Sequence, residues 1–472
     1  MVFLGDKGLL PGSRDVGTPE RKSYWKLWTA VATMVAALVA ATMVARGPAP
    51  TLFILVSIDT LRPDHLGCYG YGRPTSPHLD ALAAEGMLFE NATAPSPWTL
   101  PSHASLLTGL YPSHHTLKSH DHVLPEAVPT LATLLADNGF VTAAVVNSHN
   151  LSQRFGLNRG FAHFLYVEER VGRRKPSTAI TDQAIAWLRE HGQRPLFLFV
   201  HYYDVHSDYR SLPQYEALFT RPYTGSAQGS TTHLIAARQG RVTPDDHDVA
   251  HLIDLYDAGI RQMDDEIDRL WLFLRTSGLM ERAVIVVTSD HGEEFLEHGG
   301  VLHGRTQFEE VVRVPLIVRG PGVAAGRRVR DRVSLIDIAP TLLARAGVEP
   351  PRRSDGIDLQ LLLGSGAGLA VAAGERNLFG EADHNNEQDD ITRMVRSGSH
   401  KLHYNRLTAS ARLFDLAADP GERTDLVAAQ PEVVQSLMRT LEAFMATAVE
   451  GRPGGAPSPE EIERLRSLGY VR

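Results

Sequence analysis

From residue 51 onward the chain alternates short apolar runs with longer segments whose apolar positions recur every three or four residues. TLFILVSI (51–58) is uninterrupted and β-rich, the pattern of a strand buried on both faces. VTAAVV (141–146), PLFLFV (195–200), AVIVVTS (283–289) and VPLIV (314–318) read the same way. Between 195–200 and 283–289, Val249, Leu252, Tyr256, Ile260, Met263, Ile267, Leu270 and Leu274 mark one face of a helix over 248–275. Ser76-Pro77 opens another helix, with serine as N-cap and proline at the first helical position, and Gly86 closes it. This alternation predicts an α/β fold, a sheet with helices on both faces. The small residues of LLLGSGAGLAVAAG (361–374) mark a boundary. Beyond it ITRMVR (391–396), HKLHY (400–404) and ARLFDL (411–416) read as short strands, followed by two C-terminal helices.

The first 50 residues follow a different pattern. Residues 27–45 carry no charge, and about 20 apolar residues in a helix cross a bilayer. Arg14, Arg21, Lys22 and Lys26 precede the stretch, whereas Arg46 alone follows at once. The positive-inside rule then leaves 1–26 cytoplasmic and exports the rest. The expectation is a single-pass cell-membrane protein with its catalytic part outside. A cleaved signal peptide, giving a secreted or periplasmic protein, is the alternative. Met43 spoils a small-x-small site ending at Ala45, though Val39-Ala40-Ala41 offers another.

Composition narrows the function. With 47 basic against 55 acidic residues the net charge is −8, so no nucleic-acid partner is expected. One cysteine, Cys68, excludes an intramolecular disulfide framework and any cysteine-cluster metal site. The 21 histidines are more than a core needs, so their placement carries information.

Ligands of open α/β sheets collect at the carboxyl ends of strands. Three predicted strands end in metal-binding groups: Asp59 after the first, Asp290-His291-Gly292 after 283–289, and His201 through His206 after 195–200. Asp-His-Gly fixes a carboxylate and an imidazole side by side at the exit of a buried strand. In SPWTLPSHASLLTG (96–109), Pro101 reads as the start of a helix, which puts Thr99 at a helix N-terminus, where free N–H groups favour negative charge. A threonine hydroxyl is a poor nucleophile until its proton is removed, which a divalent cation promotes. Asp64 reads as a turn residue and Glu293-Glu294 as a solvated or neighbouring pair. The run His114, His115, His120, Asp121, His122 reads as surface or rim histidines in preference to a second metal site.

SIDTLRPDHLGCYGY, TSPHLDALAAEG, TLPSHASLLTGLYPSHH, FLFVHYYDVH, TSDHGEEFLEHGGVLHGR, VRVPLIVRGPG and KLHY…LFDLAADPGE, in this order, resemble the sulfatase family of the alkaline phosphatase superfamily. The resemblance implies an alkaline-phosphatase-like central mixed sheet between helices, with a smaller C-terminal α+β subdomain. The expected units are a catalytic domain over 51–370, the subdomain over 375–450 and a helical tail over 451–472. It also implies metal-assisted displacement at sulfur or phosphorus through a covalent intermediate. By motif position Asp59, Asp290 and His291 look like metal ligands. Thr99 looks like the nucleophile and a further ligand, while His103, His206 and His303 look like catalytic groups.

Several positions depart from the family pattern. Thr99 stands where sulfatases carry the cysteine or serine that becomes formylglycine. Thr60 replaces the second aspartate of the usual pair, and NSHNL (147–151) lacks the lysine and histidine of the family's G-K-W-H segment. Thr99 with His103 resembles superfamily branches that use unmodified threonine: nucleotide phosphodiesterases and phosphoethanolamine transferases. Imidazole suits zinc or manganese, whereas calcium prefers oxygens, so Zn²⁺ or Mn²⁺ is expected ahead of Ca²⁺. The expected substrate is an anionic sulfate or phosphate ester of a glycan, lipid or small molecule, with phosphorus favoured by the threonine. Two rivals remain open at this point: a phosphoethanolamine-type transferase, and a non-catalytic relative that binds sulfated or phosphorylated glycans.

Overall fold

The computed structural model describes Trp28 and residues 51–167, 177–364, 376–382, 393–451 and Gly454. The chain divides into two compact units, Met1–Pro48 and Ala49–Arg472. Apart from Trp28, the predicted membrane span at 27–45 lies outside the described residues. No helix among the described residues is long and apolar enough to cross a membrane. The boundary segment around 365–375 and the helical tail beyond Gly454 also lie outside them.

An eight-stranded sheet organises the larger unit. Its strands are β1 (Leu52–Ile58), β2 (Met87–Thr93), β3 (Val141–Val146), β4 (His163–Tyr166), β5 (Leu196–Tyr202), β6 (Ala283–Thr288), β9 (Arg313–Arg319) and β10 (Arg327–Ser334). A small hairpin, β7 (Glu294–Phe295) with β8 (Val301–Leu302), follows β6. The order across the sheet is β10-β2-β9-β6-β1-β5-β3-β4. β9 alone runs against its neighbours, so the sheet is mixed, as the family resemblance implies. β1 is central, with β5 and β6 parallel on either side.

Period-two alternation splits these strands between two cores. Phe53, Leu55, Phe197, Phe199, Val284 and Val286 face one side, where the buried helix Thr99–Thr108 packs through Leu100, Ala104, Leu106 and Leu107. Leu52, Ile54, Val56, Leu198, Val200 and Ile285 face the other. There the helix Asp246–Thr276 lays down Leu252, Tyr256, Ile260, Met263, Ile267, Leu270 and Leu274. It is held at its start by a capping box on Asp245. The sequence periodicity had this helix within two residues at each end.

The C-terminal sheet is antiparallel, in the order β11 (Leu378–Glu381), β12 (Arg393–Ser397), β13 (His400–Asn405), β14 (Ser410–Asp415). The helix Pro431–Met445 covers it through Leu437, Leu441 and Phe444. Sequence patterning anticipated two helices here, and one stands among the described residues. The sheet is keyed to the larger one by a buried ion cluster. Lys401 Nζ, wholly buried, lies 2.8 Å from Glu309 Oε1 and 3.1 Å from Glu422 Oε1. His403 Nε2 is 3.0 Å from the same Glu422 oxygen.

Burial alone would raise the Glu422 carboxyl, but Lys401 and His403 beside it bring it down to about 2 from 4.5. A carboxyl depressed in this way stabilises the fold above its unfolded value and loses that contribution as pH falls. Lys401→Met leaves the buried Glu422 carboxylate without its lysine, while Glu309 keeps Arg396 at 3.7 Å, an expected cost of about 3 kcal/mol at neutral pH. Urea titrations of both proteins should show the gap narrowing as pH drops from 4.5 towards 2.

Candidate active site

The site lies where β1, β5 and β6 end together. Asp59 follows β1, its N–H donating to Tyr202 O at 2.9 Å. Thr60, next in the chain, takes a left-handed backbone (φ 57°). Tyr256, from the long helix, holds that turn: its hydroxyl donates to Thr60 O (2.7 Å) and accepts from Arg62 N–H (2.9 Å). After β6, Ser289 ties the two exits together, accepting from Leu61 N–H (2.9 Å) and donating to His291 O (2.6 Å). Gly292 is required by close approach, because a Cβ there would fall 2.0 Å from Glu310 O.

These exits bring Asp59, Asp290 and His291 together, all fully buried, with ligand atoms within 4.8 Å of one another. Thr99 opens its helix directly against them. Its Oγ1 is 3.5 Å from Asp59 Oδ2 and 3.3 Å from His291 Nε2. Ser102, one turn on, donates to Asp290 O at 2.6 Å and pins the helix to the β6 exit. His103 sits behind the pair: Nδ1 is 2.9 Å from Thr99 O and 3.5 Å from Asp290 Oδ2, while Nε2 is 2.9 Å from Ser57 Oγ.

His303 and His206 complete the group. Their rings are 5.0 Å apart, and the His303 ring is 4.2 Å from that of His291. Glu293 Oε1 accepts from His303 Nδ1 (2.9 Å), and Tyr209 donates to the other oxygen (2.9 Å). Arg238 donates to the backbone oxygens of Val301 and His303 and fixes the loop. All seven residues singled out in the sequence therefore converge.

Other expectations change. Of the two readings of Glu293-Glu294, a solvated pair or one neighbouring the site, the second holds: Glu293 is fully buried against His303. His114 and His115 are buried structural groups, bonded to Asp355 and Thr447 and to Ser105. Asp64 pairs with Arg62. Of the run His201–His206 at the end of β5, His201 also reaches the metal-fitting group. Its Nε2 is 3.3 Å from Asp59 Oδ2, on the strand beside β1 and in register with Ser57. The adjacency of β5 to β1 was the missing signal.

The electrostatics fit a cation. Burial, then Asp290 alongside, pushes the Asp59 carboxyl well above its ordinary range. Asp59 Oδ1, Asp290 Oδ2 and His201 Nε2 are buried without an aligned hydrogen bond. Two carboxylates buried this close need a counter-charge, and their bare oxygens beside imidazole nitrogens suit a divalent metal. Burial holds His103 and His201 down to about 4 and His206 to about 3. Those imidazoles are neutral ligands or hydrogen-bond partners at rest.

Residues 51–348 match the Sulfatase family, and 297–448 match the family of the N-sulphoglucosamine sulphohydrolase C-terminal region. The chain belongs to the sulfatase family. It is 24% identical to Delta 4,5-hexuronate-2-O-sulfatase of Bacteroides thetaiotaomicron, over 79% of this chain and 84% of that one. It is 27% identical to human Arylsulfatase A over 91% and 94% of the two chains. Its fold matches the phosphonate monoester hydrolase of Agrobacterium radiobacter (TM-score 0.70, 22% identity, 85% of this chain and 96% of the other). As a sulfatase-family member of the alkaline phosphatase superfamily, the protein is an ester hydrolase acting on sulfate or phosphate esters.

Asp290→Asn tests whether the trio holds a cation. By mass spectrometry, the purified variant should retain at least about tenfold less divalent metal than the parent protein. Its melting temperature should no longer rise on adding Zn²⁺ or Mn²⁺.

Proposed function

We propose that this sulfatase-family protein is an exported, metal-dependent esterase that works through a covalent ester on Thr99. One observation carries the reading: the Thr99 hydroxyl, at a buried helix N-terminus, lies within 3.5 Å of Asp59 and of His291, both from the metal-fitting trio. Asp59, Asp290 and His291, with His201 at hand, would hold the metal. Bound there, a divalent cation supplies Lewis acidity that lowers the pKa of a neighbouring hydroxyl.

In the first step Thr99 Oγ1 gives up its proton in the direction of Asp59 Oδ2 and bonds to the sulfur or phosphorus. The bond to the leaving oxygen breaks, and that oxygen takes a proton from His206 or His303, whichever has taken one up from solvent as the anionic ester binds. Both imidazoles rest neutral because burial disfavours their charged form, and an arriving anion reverses that push. Glu293, bonded to His303 Nδ1, orients this ring and directs Nε2 away from itself. In the second step water gives a proton to the imidazole that acted as acid and displaces the Thr99 ester, and Thr99 Oγ1 recovers its proton from Asp59. His103 supports the helix end by binding Thr99 O and Ser57.

An unmodified threonine favours phosphoester cleavage, because the chain has no formylglycine precursor at this position. The uncharged stretch 27–45, with basic residues before it, supports export through a retained anchor or a cleaved leader. Thr99→Ala should lower kcat by about a thousandfold or more on nitrophenyl sulfate and on bis-nitrophenyl phosphate, whichever the parent hydrolyses. Thr99→Ser should keep measurable turnover. Undiminished turnover by Thr99→Ala would overturn the reading.

A further inference from the structure

The C-terminal sheet packs its helix on one face through Val395, Leu402 and Leu413. Arg396 and Lys401 stand opposite each other on β12 and β13, one residue out of step with that row, and so share the other face. Towards this face come Arg332, in the edge strand β10 of the larger sheet, and Asp337, in the turn Leu335–Asp337 that follows it. Arg332 donates to Gly398 O, between β12 and β13. Arg376, just ahead of β11, pairs with Asp337. Burial, then Arg396 and Arg376 nearby, lowers the Arg332 guanidinium below its ordinary value. Three guanidinium groups thus gather where the two sheets meet.

Arg332 and Arg396 are each only 7% exposed. Arg396 Nε and Nη1 and Arg376 Nε are buried without a hydrogen-bond partner among the described residues. The carboxylates in reach are already engaged. Glu309 Oε2 lies 3.7 Å from Arg396 Nη1, too far for a hydrogen bond, and its other oxygen takes Lys401 at 2.8 Å. Asp337 accepts from Ser334 N–H (2.8 Å) as well as from Arg376, and from Ile357 N–H (2.9 Å) on its other oxygen. Buried cations with bare donors are costly until an anion completes them. Water supplies lone pairs but no charge, whereas guanidinium N–H groups match the oxygens of a tetrahedral anion. We propose that Arg332, Arg376 and Arg396 form a site for an inorganic oxyanion, sulfate or phosphate, held between the two sheets and apart from the Thr99 cluster. Such an anion ties β10 to β11 and β12, so its binding stabilises the fold. The inference stands independently of the esterase reading.

Thermal unfolding of the full chain, at constant ionic strength, would compare added sodium sulfate and sodium phosphate with sodium chloride. Either oxyanion should raise the melting temperature saturably, and chloride should not. The rise should survive Asp290→Asn, which alters the Thr99 cluster. Arg396→Met should need about tenfold more oxyanion for half of the rise. Arg396→Lys keeps the charge without the planar fork and should fall between, which preserves the comparison if the methionine variant does not fold. A rise lost in Asp290→Asn but unchanged in Arg396→Met would put the anion in the active site. An equal rise with chloride would mean general screening of the arginines. Either outcome overturns the proposal, as does the absence of a saturable rise with both oxyanions.

Discussion

Two aspartates buried side by side where the parallel strands β1 and β6 end are the constraint on which the rest of the molecule depends. Asp59 and Asp290 are wholly shielded from solvent, and each has a carboxylate oxygen without an aligned hydrogen bond. Such a pair is strongly unfavourable without positive charge. Neighbouring groups supply only part of the compensation. Thr60 N–H and His291 N–H reach Asp290 Oδ1 at 3.3 and 3.0 Å. His291 is raised only because Asp290 and Asp59 outweigh its burial. The fold therefore directs backbone and side-chain donors at a pair of carboxylates that could hold a cation between them.

Holding that place requires rigidity on both flanks. On one side Tyr256 clamps the turn after β1 and Ser289 bridges it to the turn after β6. On the other, the carbonyls of Glu310 and Val311 accept from Glu293 and Gly292 N–H, so the segment before β9 forms the wall of the metal loop. Glu309, the next residue upstream, is the one that Lys401 of the C-terminal sheet grips. The second sheet thus acts on the site through three consecutive residues, without a side chain of its own in the cluster. Its buried ion pairs are costly to form, and they give register between the two sheets in return.

Much of this was legible in the sequence because strand exits are local. Asp59, Asp290 and His291 follow apolar runs that had to be buried strands, and the Pro101 pattern placed Thr99 at a helix start. What escaped reading depended on which strands are neighbours. His201 matters because β5 lies beside β1, and Glu293 matters because the β7–β8 hairpin folds His303 back over it. Neither adjacency has a local signature. The histidines of 114–115 misled for the opposite reason. They look like surface groups in a polar run, yet both are buried, and partners from as far away as Thr447 satisfy them.

The same cluster has a consequence for substrate charge. Among the described residues that touch Thr99 or the trio, His103 and His201 are held neutral by burial, and so are His206 and His303 beyond them. No lysine or arginine is among the groups hydrogen-bonded to the Thr99 hydroxyl. With a divalent cation bound, the two aspartates are balanced, and little positive charge remains for the ligand. By that count a dianionic phosphate monoester would arrive with two charges uncompensated, and one protonated imidazole would still leave one of them in a low-dielectric pocket, where it is expensive. A sulfate ester or a phosphodiester carries a single charge, and protonating one of the resting imidazoles is enough to match it. The chemistry of the anion and the neutrality of the histidines are therefore one property of the site, both set by how deeply the sheet's exit is buried.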